Sequence, residues 1–177
     1  ERIKRIVLLN TAAFFKPPGK SMPWQLWLAR NTPLGSILVR AFNAFAYGAT
    51  KNCVVRKAMD PLVQQAFRAP YNSWHNRIAT LRFVQDIPLE EGDPSYEAIE
   101  KTVKGLEQFR STPVLVCWGE QDYVFDHHFL KEWKVHLPDA EYHTFADVGH
   151  YTLEDAPDEV LSLMKEFFAK HPIEGAL

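Results

Sequence analysis

Two polar residues stand where chemistry collects. Asp122 lies in the turn Gly119-Glu-Gln-Asp122-Tyr-Val-Phe-Asp126, and His150 lies in Ala146-Asp-Val-Gly149-His150-Tyr151. Each turn directly follows a run that reads as a β-strand, residues 114–118 in one case and 141–145 in the other. Parallel strands deliver the loops after their carboxyl ends to one edge of a sheet, where open α/β sheets gather reactive side chains. Asp122 and His150 can therefore meet across a single strand-helix-strand unit. A carboxylate held against one imidazole nitrogen fixes the tautomer and stabilises the imidazolium, leaving the other nitrogen free to act as a base. Singly, each residue has a plainer reading, as a turn-forming aspartate and a loop histidine. On consecutive strand ends they read as an acid–base pair. A base still needs a nucleophile to activate.

The elements that must position this pair are legible on either side of it. Ile6-Val-Leu-Leu9 and Val114-Leu-Val-Cys-Trp118 are continuous apolar runs rich in β-branched residues, the pattern of strands covered on both faces of a parallel sheet. Glu141-Tyr-His-Thr-Phe145 alternates polar and apolar residues and so belongs nearer an edge. Asp126 is expected to cap a helix over 127–137, with Phe129, Leu130, Trp133 and Leu137 on one stripe and Pro138 closing it. A last helix is expected to be capped by Asp155, with Pro157 in its first turn and Val160, Leu163, Met164, Phe167 and Phe168 repeating on one face. A further helix spans about Pro94 to Phe109. Strand 114–118, helix 127–137 and strand 141–145 form one βαβ unit, for which a right-handed crossover is expected.

From about Phe15 to Gly92 the pattern changes. No strand is evident, aromatic residues are dense, and short helical patterns are broken at Pro17-Pro18-Gly19, Thr32-Pro33, Asp60-Pro61, Ala69-Pro70 and Ile87-Pro88. So long a helical stretch between two buried strands exceeds what a crossover requires. It reads as an all-helical lobe inserted into an α/β sheet, the competing reading being helices that merely cover one sheet face. The boundaries expected are 1–15 for a core strand, 16–93 for the lobe and 94–177 for the rest of the core. Trp24, Trp27, Phe42, Phe45 and Trp74 are expected mostly to pack the lobe, and Glu90-Glu91-Gly92-Asp93 to be a solvated loop.

Composition narrows the function. The 177 residues are 46% hydrophobic and 24% charged, as in an ordinary globular protein. A net charge of −2 gives no electrostatic footprint for nucleic acid or an anionic membrane. No apolar run approaches the ~18 residues of a membrane span. Two widely separated cysteines, Cys53 and Cys117, make no disulfide framework, which favours a reducing cytoplasm. His127 and His128 lack further ligands at suitable spacing, so no metal is expected there, and no cofactor motif is evident. The chain opens on Glu1, without an initiator Met or the regions of a signal peptide, and enters a strand almost at once.

The run Pro113-Val-Leu-Val-Cys-Trp-Gly119-Glu-Gln-Asp122, followed by Asp147-Val-Gly-His150-Tyr-Thr-Leu-Glu-Asp155-Ala-Pro, resembles the last third of an α/β-hydrolase. The helical lobe is similar to the cap of the haloalkane dehalogenase and epoxide hydrolase branch. Asn43-Ala-Phe-Ala46, Ala69-Pro-Tyr-Asn-Ser-Trp74-His-Asn-Arg77 and Arg82-Phe-Val-Gln-Asp-Ile-Pro88 resemble the subgroup that includes the β-lactone decarboxylases of bacterial long-chain olefin synthesis. The resemblance covers nearly the whole chain.

What the resemblance implies is a partial α/β-hydrolase fold with an inserted cap, Asp122 as the acid and His150 as the base. The family's nucleophile, an Asp or a Ser on a sharp strand-to-helix turn, matches nothing here: no Gly-x-Ser-x-Gly or Gly-x-Asp-x-Gly occurs. The chain is thus expected to be the C-terminal portion of a longer hydrolase, beginning just before its sixth strand. Alone it is expected to be inactive, and its partner would be the N-terminal part of the same protein. The implied substrate is a hydrophobic small molecule under the cap, with Trp74, Phe45 and Asn10 the candidates for lining its pocket. Asn10 stands where some relatives place their acid, a role an amide cannot fill, which favours Asp122. The alternative from another class is a non-catalytic fragment or a module that binds an apolar ligand.

Overall fold

Every side chain of the strand β2 (Val114–Gly119) is removed from water, and the rest of the core is arranged around it. The computed structural model describes residues 2–173. β2 is the middle of a three-stranded parallel sheet, flanked by β1 (Ile6–Leu9) and β3 (Glu141–Phe145). Val7 lies opposite Leu115, and Trp118 opposite Thr144. Alternate β2 residues enter two different cores, which is why the run is apolar throughout.

Val114, Val116 and Trp118 pack with Phe14 against Phe129, Leu130 and Trp133 of the helix His127–His136. Leu115 and Cys117 face Val148, Ala156, Val160 and Phe167 on the opposite side. Flanking helices therefore shield both surfaces of the sheet.

Between β1 and β2 the chain is helical. It forms α1 (Trp24–Asn31), α2 (Pro33–Phe42), α3 (Ala44–Asn52), α4 (Pro61–Arg68), α5 (Ile78–Gln85) and α6 (Tyr96–Gly105). A turn of 3₁₀-helix, Leu106–Phe109, then leads toward β2. Proline sets two of these starts: Thr32 accepts from Gly35 N–H at the head of α2, and Asp60 accepts from Leu62 N–H at the head of α4. In each case the proline occupies a position where its missing N–H costs nothing.

α1, α2 and α5 close around Ala29, Val39, Leu81 and Val84, a core separate from those of the sheet. This differs from the expected packing of the aromatics. Trp24, Trp27, Phe42 and Trp74 are each more than half exposed. Small and aliphatic residues make the helix contacts, so in α1 the helical phase that turns Ala29 inward turns Trp24 and Trp27 outward. Asp93 also departs from the expected solvated loop. Backbone N–H groups of Leu89 and Glu90, and the Arg30 guanidinium at 2.7 Å, hold its carboxyl below the usual range.

After β2 come α7 (His127–His136), β3, α8 (Thr152–Asp155) and α9 (Pro157–Lys170). Asp126 caps α7 as expected, accepting from His128 N–H at 3.0 Å. Asp155 does not cap α9. Ala156 occupies that position, and the Asp155 carboxylate is drawn inward to backbone N–H groups of Val55, Arg56 and Gly149. Three converging donors outcompete the single bond a cap would supply. No helix among the described residues is long and apolar enough to cross a membrane.

Among the described residues β1 pairs on one side only, through β2, and its exposed edge belongs to an apolar segment. Such an edge templates association with other strands. The 177-residue chain expressed alone should self-associate in a light-scattering measurement; a monodisperse monomer would contradict this.

Candidate active site

β2 and β3 run in parallel to end side by side, Gly119 opposite Phe145. The ladder continues into the loops: Glu120 N–H donates to Phe145 O at 2.9 Å, and Gln121 N–H to Val148 O at 2.9 Å. The two turns are thereby stitched together. Glycine is required at the seam, because a Cβ on Gly119 would collide with the carbonyl oxygens of Val148 and Gly149.

This seam brings Asp122 and His150 into contact. His150 Nδ1 lies 2.8 Å from Asp122 Oδ2. A carboxylate accepts, so Nδ1 carries the hydrogen and Nε2 presents its lone pair. The Asp122 side chain is fully buried, whereas that of His150 is 24% exposed. The imidazole can thus be reached from one side while its partner is sealed off.

A buried carboxylate demands a full set of donors. Asp122 Oδ1 accepts from Val124 N–H at 2.7 Å, and Oδ2 accepts from Asn10 Nδ2 at 3.0 Å as well as from His150. The first bond is the turn-forming contact typical of aspartate, so the plain reading of Asp122 holds beside its contact with His150.

Asn10 follows β1 and adopts a left-handed backbone, with φ of 25°, a conformation that asparagine tolerates better than most residues. Its amide is fully used. Oδ1 accepts from Gly119 N–H at 2.7 Å and from Thr152 Oγ1 at 2.8 Å, while Nδ2 donates to Gly119 O and Asp122 Oδ2. Asn10 is buried behind Asp122 and does not line the cavity nearby, which differs from its expected place. Its amide reaches Asp122 instead.

That cavity has a volume of about 380 Å³ and is lined by residues that include Phe45, Ala49, Phe67, Tyr71 and Tyr151. Trp74 is not in the lining: it is half-exposed, with the Arg40 guanidinium 4.2 Å from its ring centre. His150 is also outside the lining, but Tyr151 follows it directly and stacks on Phe67 at 5.2 Å. Burial pushes the Tyr151 hydroxyl up to about 12, so it stays neutral and can donate. Tyr151 and Thr152 escaped the sequence reading. Their only signal was adjacency to His150.

Donor atoms of Asp126, His127 and His128 lie within 4.8 Å of one another. The Asp126 oxygens are already engaged, one by His128 and the other by Lys20 Nζ at 2.9 Å. Lys20 also donates to Tyr123 O at 2.8 Å, so this cluster anchors the loop that carries Asp122.

Two measurements check this network. Asn10→Ala strands the buried Gly119 N–H and removes a donor from Asp122, at a cost of about 1–3 kcal/mol in chemical denaturation. Burial pushes the thiols of Cys53 and Cys117 up to about 11. A higher pKa means less thiolate near neutrality, so at about pH 8 neither should react with a disulfide reagent until the protein is unfolded.

The sequence matches the family described as alpha/beta hydrolase fold over residues 1–157. It is 52% identical over 170 residues to a cis-3-alkyl-4-alkyloxetan-2-one decarboxylase of Shewanella oneidensis, covering 96% of this chain and 54% of that protein. It is 41% identical over 172 residues to a protein of the same name from Xanthomonas campestris pv. campestris, covering 97% of this chain and 57% of the other. The chain thus spans little more than half the length of these relatives. In fold it is similar to the crystal structure of the haloalkane dehalogenase DatA from Agrobacterium tumefaciens C58. The TM-score is 0.78 at 18% identity, over 96% of this chain and 59% of that one. Shared sequence across most of its length, and a parallel sheet that carries its acidic and imidazole groups on adjacent strand ends, place this chain in the α/β-hydrolase family.

Proposed function

We propose that this chain supplies the acid and base of an enzyme that opens a strained or activated bond in a hydrophobic small molecule, with a dialkyl β-lactone as the first candidate. One observation carries the reading: the 2.8 Å contact between His150 Nδ1 and the buried Asp122 carboxylate, with Nε2 directed away from it. Asp122 would hold the imidazole in one tautomer and stabilise its protonated form. His150 Nε2 would then accept a proton. The nucleophile would come from outside these 177 residues, in the length that the relatives have and this chain does not span.

The identity of that nucleophile selects the steps. An aspartate would attack the saturated ring carbon bonded to the ring oxygen, breaking that C–O bond so that the oxygen leaves as a carboxylate, and water deprotonated by His150 would hydrolyse the ester formed. A serine would instead give its proton to His150 and attack the ring carbonyl, breaking the acyl C–O bond, and His150 would return the proton to the departing ring oxygen. The cap resemblance favours aspartate. The relatives' name favours an oxetanone ring as substrate, and the apolar cavity beside Tyr151 suits its alkyl groups. A reducing, cytoplasmic setting belongs to this reading, in keeping with two buried free thiols.

A second reading, an apolar-ligand binding module, draws on the same cavity, which His150 does not line. The full-length protein separates the two. His150→Ala and Asp122→Asn should each lower turnover of a cis-dialkyl oxetan-2-one on the order of 10³- to 10⁴-fold; the fold should persist in His150→Ala, whereas Asp122→Asn should also lower stability, because its N–H₂ faces donors. Turnover that survives His150→Ala would overturn the proposal. Ligand binding without turnover in the unaltered protein would favour the module.

A further inference from the structure

The backbone on both sides of His150 is held by a loop that lies almost a hundred residues earlier in the chain. We infer that Asp155 is a positioning residue for His150: its buried carboxylate ties the peptide before the imidazole to residues 53–56, which follow helix α3. This rests on the proposed role of His150 as the base.

Asp155 is only 5% exposed, and both its oxygens are used. Oδ2 accepts from Gly149 N–H at 2.7 Å and from Val55 N–H at 2.9 Å, while Oδ1 accepts from Val55 N–H at 3.0 Å and Arg56 N–H at 3.1 Å. Gly149 is the residue immediately before His150. On the far side, Tyr151 N–H donates to Cys53 O at 2.8 Å. Both neighbours of the imidazole are therefore bonded to the same short loop, one directly and one through Asp155.

The fit is close enough to require glycine. A Cβ on Gly149 would lie 2.8 Å from Cys53 O. Arg56 closes the outer side, reaching Asp147 through Nε and Nη2 at 3.0 Å each and Glu159 through Nη1 at 2.7 Å. These outer pairs are exposed and contribute little alone. The inner carboxylate is different in kind, because an uncompensated charge or a stranded N–H there is costly. A neutral amide at position 155 would oppose its own N–H₂ to donors that point the same way.

The loop also connects with the ligand space. α3 contributes Ala46, Ala49 and Thr50 to the cavity lining and ends at Asn52, one residue before Cys53. Asp155 thus couples a wall of the cavity to the alignment of His150 on Asp122.

The test uses the full-length protein and Asp155→Asn, with Asp155→Glu as a second variant that keeps the charge but displaces it. Displacements near 1 Å in a reacting group cost on the order of 10²-fold. Asp155→Asn should therefore lower kcat on the order of 10- to 100-fold, with KM changed less than about 2-fold. The downfield proton resonance of His150 Nδ1–H should broaden or disappear, and Asp155→Glu should fall between. Leu137→Ala, a change just after α7 in the core on the opposite face of the sheet, should lower the melting temperature yet leave kcat and the resonance intact.

Retention of both signals in Asp155→Asn would overturn the inference. So would an equal loss in Leu137→Ala at matched stability. The resonance needs no substrate, so its loss in Asp155→Asn would support the positioning role even if every candidate substrate failed and the hydrolase reading fell.

Discussion

A carboxylate with no access to water must have every lone pair answered from within the protein, and Asp122 imposes that requirement on this structure. Its donors come from its own turn, from the end of β1 and from the loop after β3. None of these can shift without leaving charge uncompensated in a medium of low polarity, a far larger penalty than the loss of one surface contact. The sheet register, the glycine seam between two loops and the left-handed backbone at Asn10 can each be understood as meeting this demand.

The surrounding arrangement is layered. Asn10 orients Asp122 and is itself fixed by Gly119 and Thr152. Lys20 secures the far end of the acid-bearing loop through Tyr123 O and Asp126. Asp155 and residues 53–56 hold the imidazole-bearing loop. Within this layered set, His150 keeps one flank open to solvent while Asp122 behind it is sealed.

Much of this was legible in the sequence, and the reasons differ from element to element. The β2 run announces a strand covered on both faces because no residue in it tolerates water. Asp122 and His150 stand out because their turns follow two strands of the same direction. Asp126 is read correctly as a cap because that role is local. Asp155 looks like the same kind of cap, but its partners at 55, 56 and 149 are joined to it only by the fold. Asn10 is ambiguous for the same reason, since a turn residue and a buried bridge share one residue type. The lobe aromatics mislead because hydrophobicity alone does not reveal which face of a short helix meets its neighbours. Ala29 and Val39 make the contact that Trp24 and Trp27 were expected to make.

The bond from Thr152 to Asn10 spans 142 positions of the chain, and the bond from Asn10 to Asp122 spans 112. Local helices can form within microseconds, whereas contacts this remote wait until large loops have closed. The Asn10 brace on Asp122 is therefore completed only after β1 has found β2 across the whole helical excursion, whereas Asp122 and His150 meet within the strand-helix-strand unit they share. Bracing the carboxylate thus belongs to the slowest-closing part of this topology, and its pairing with the imidazole to a quicker one.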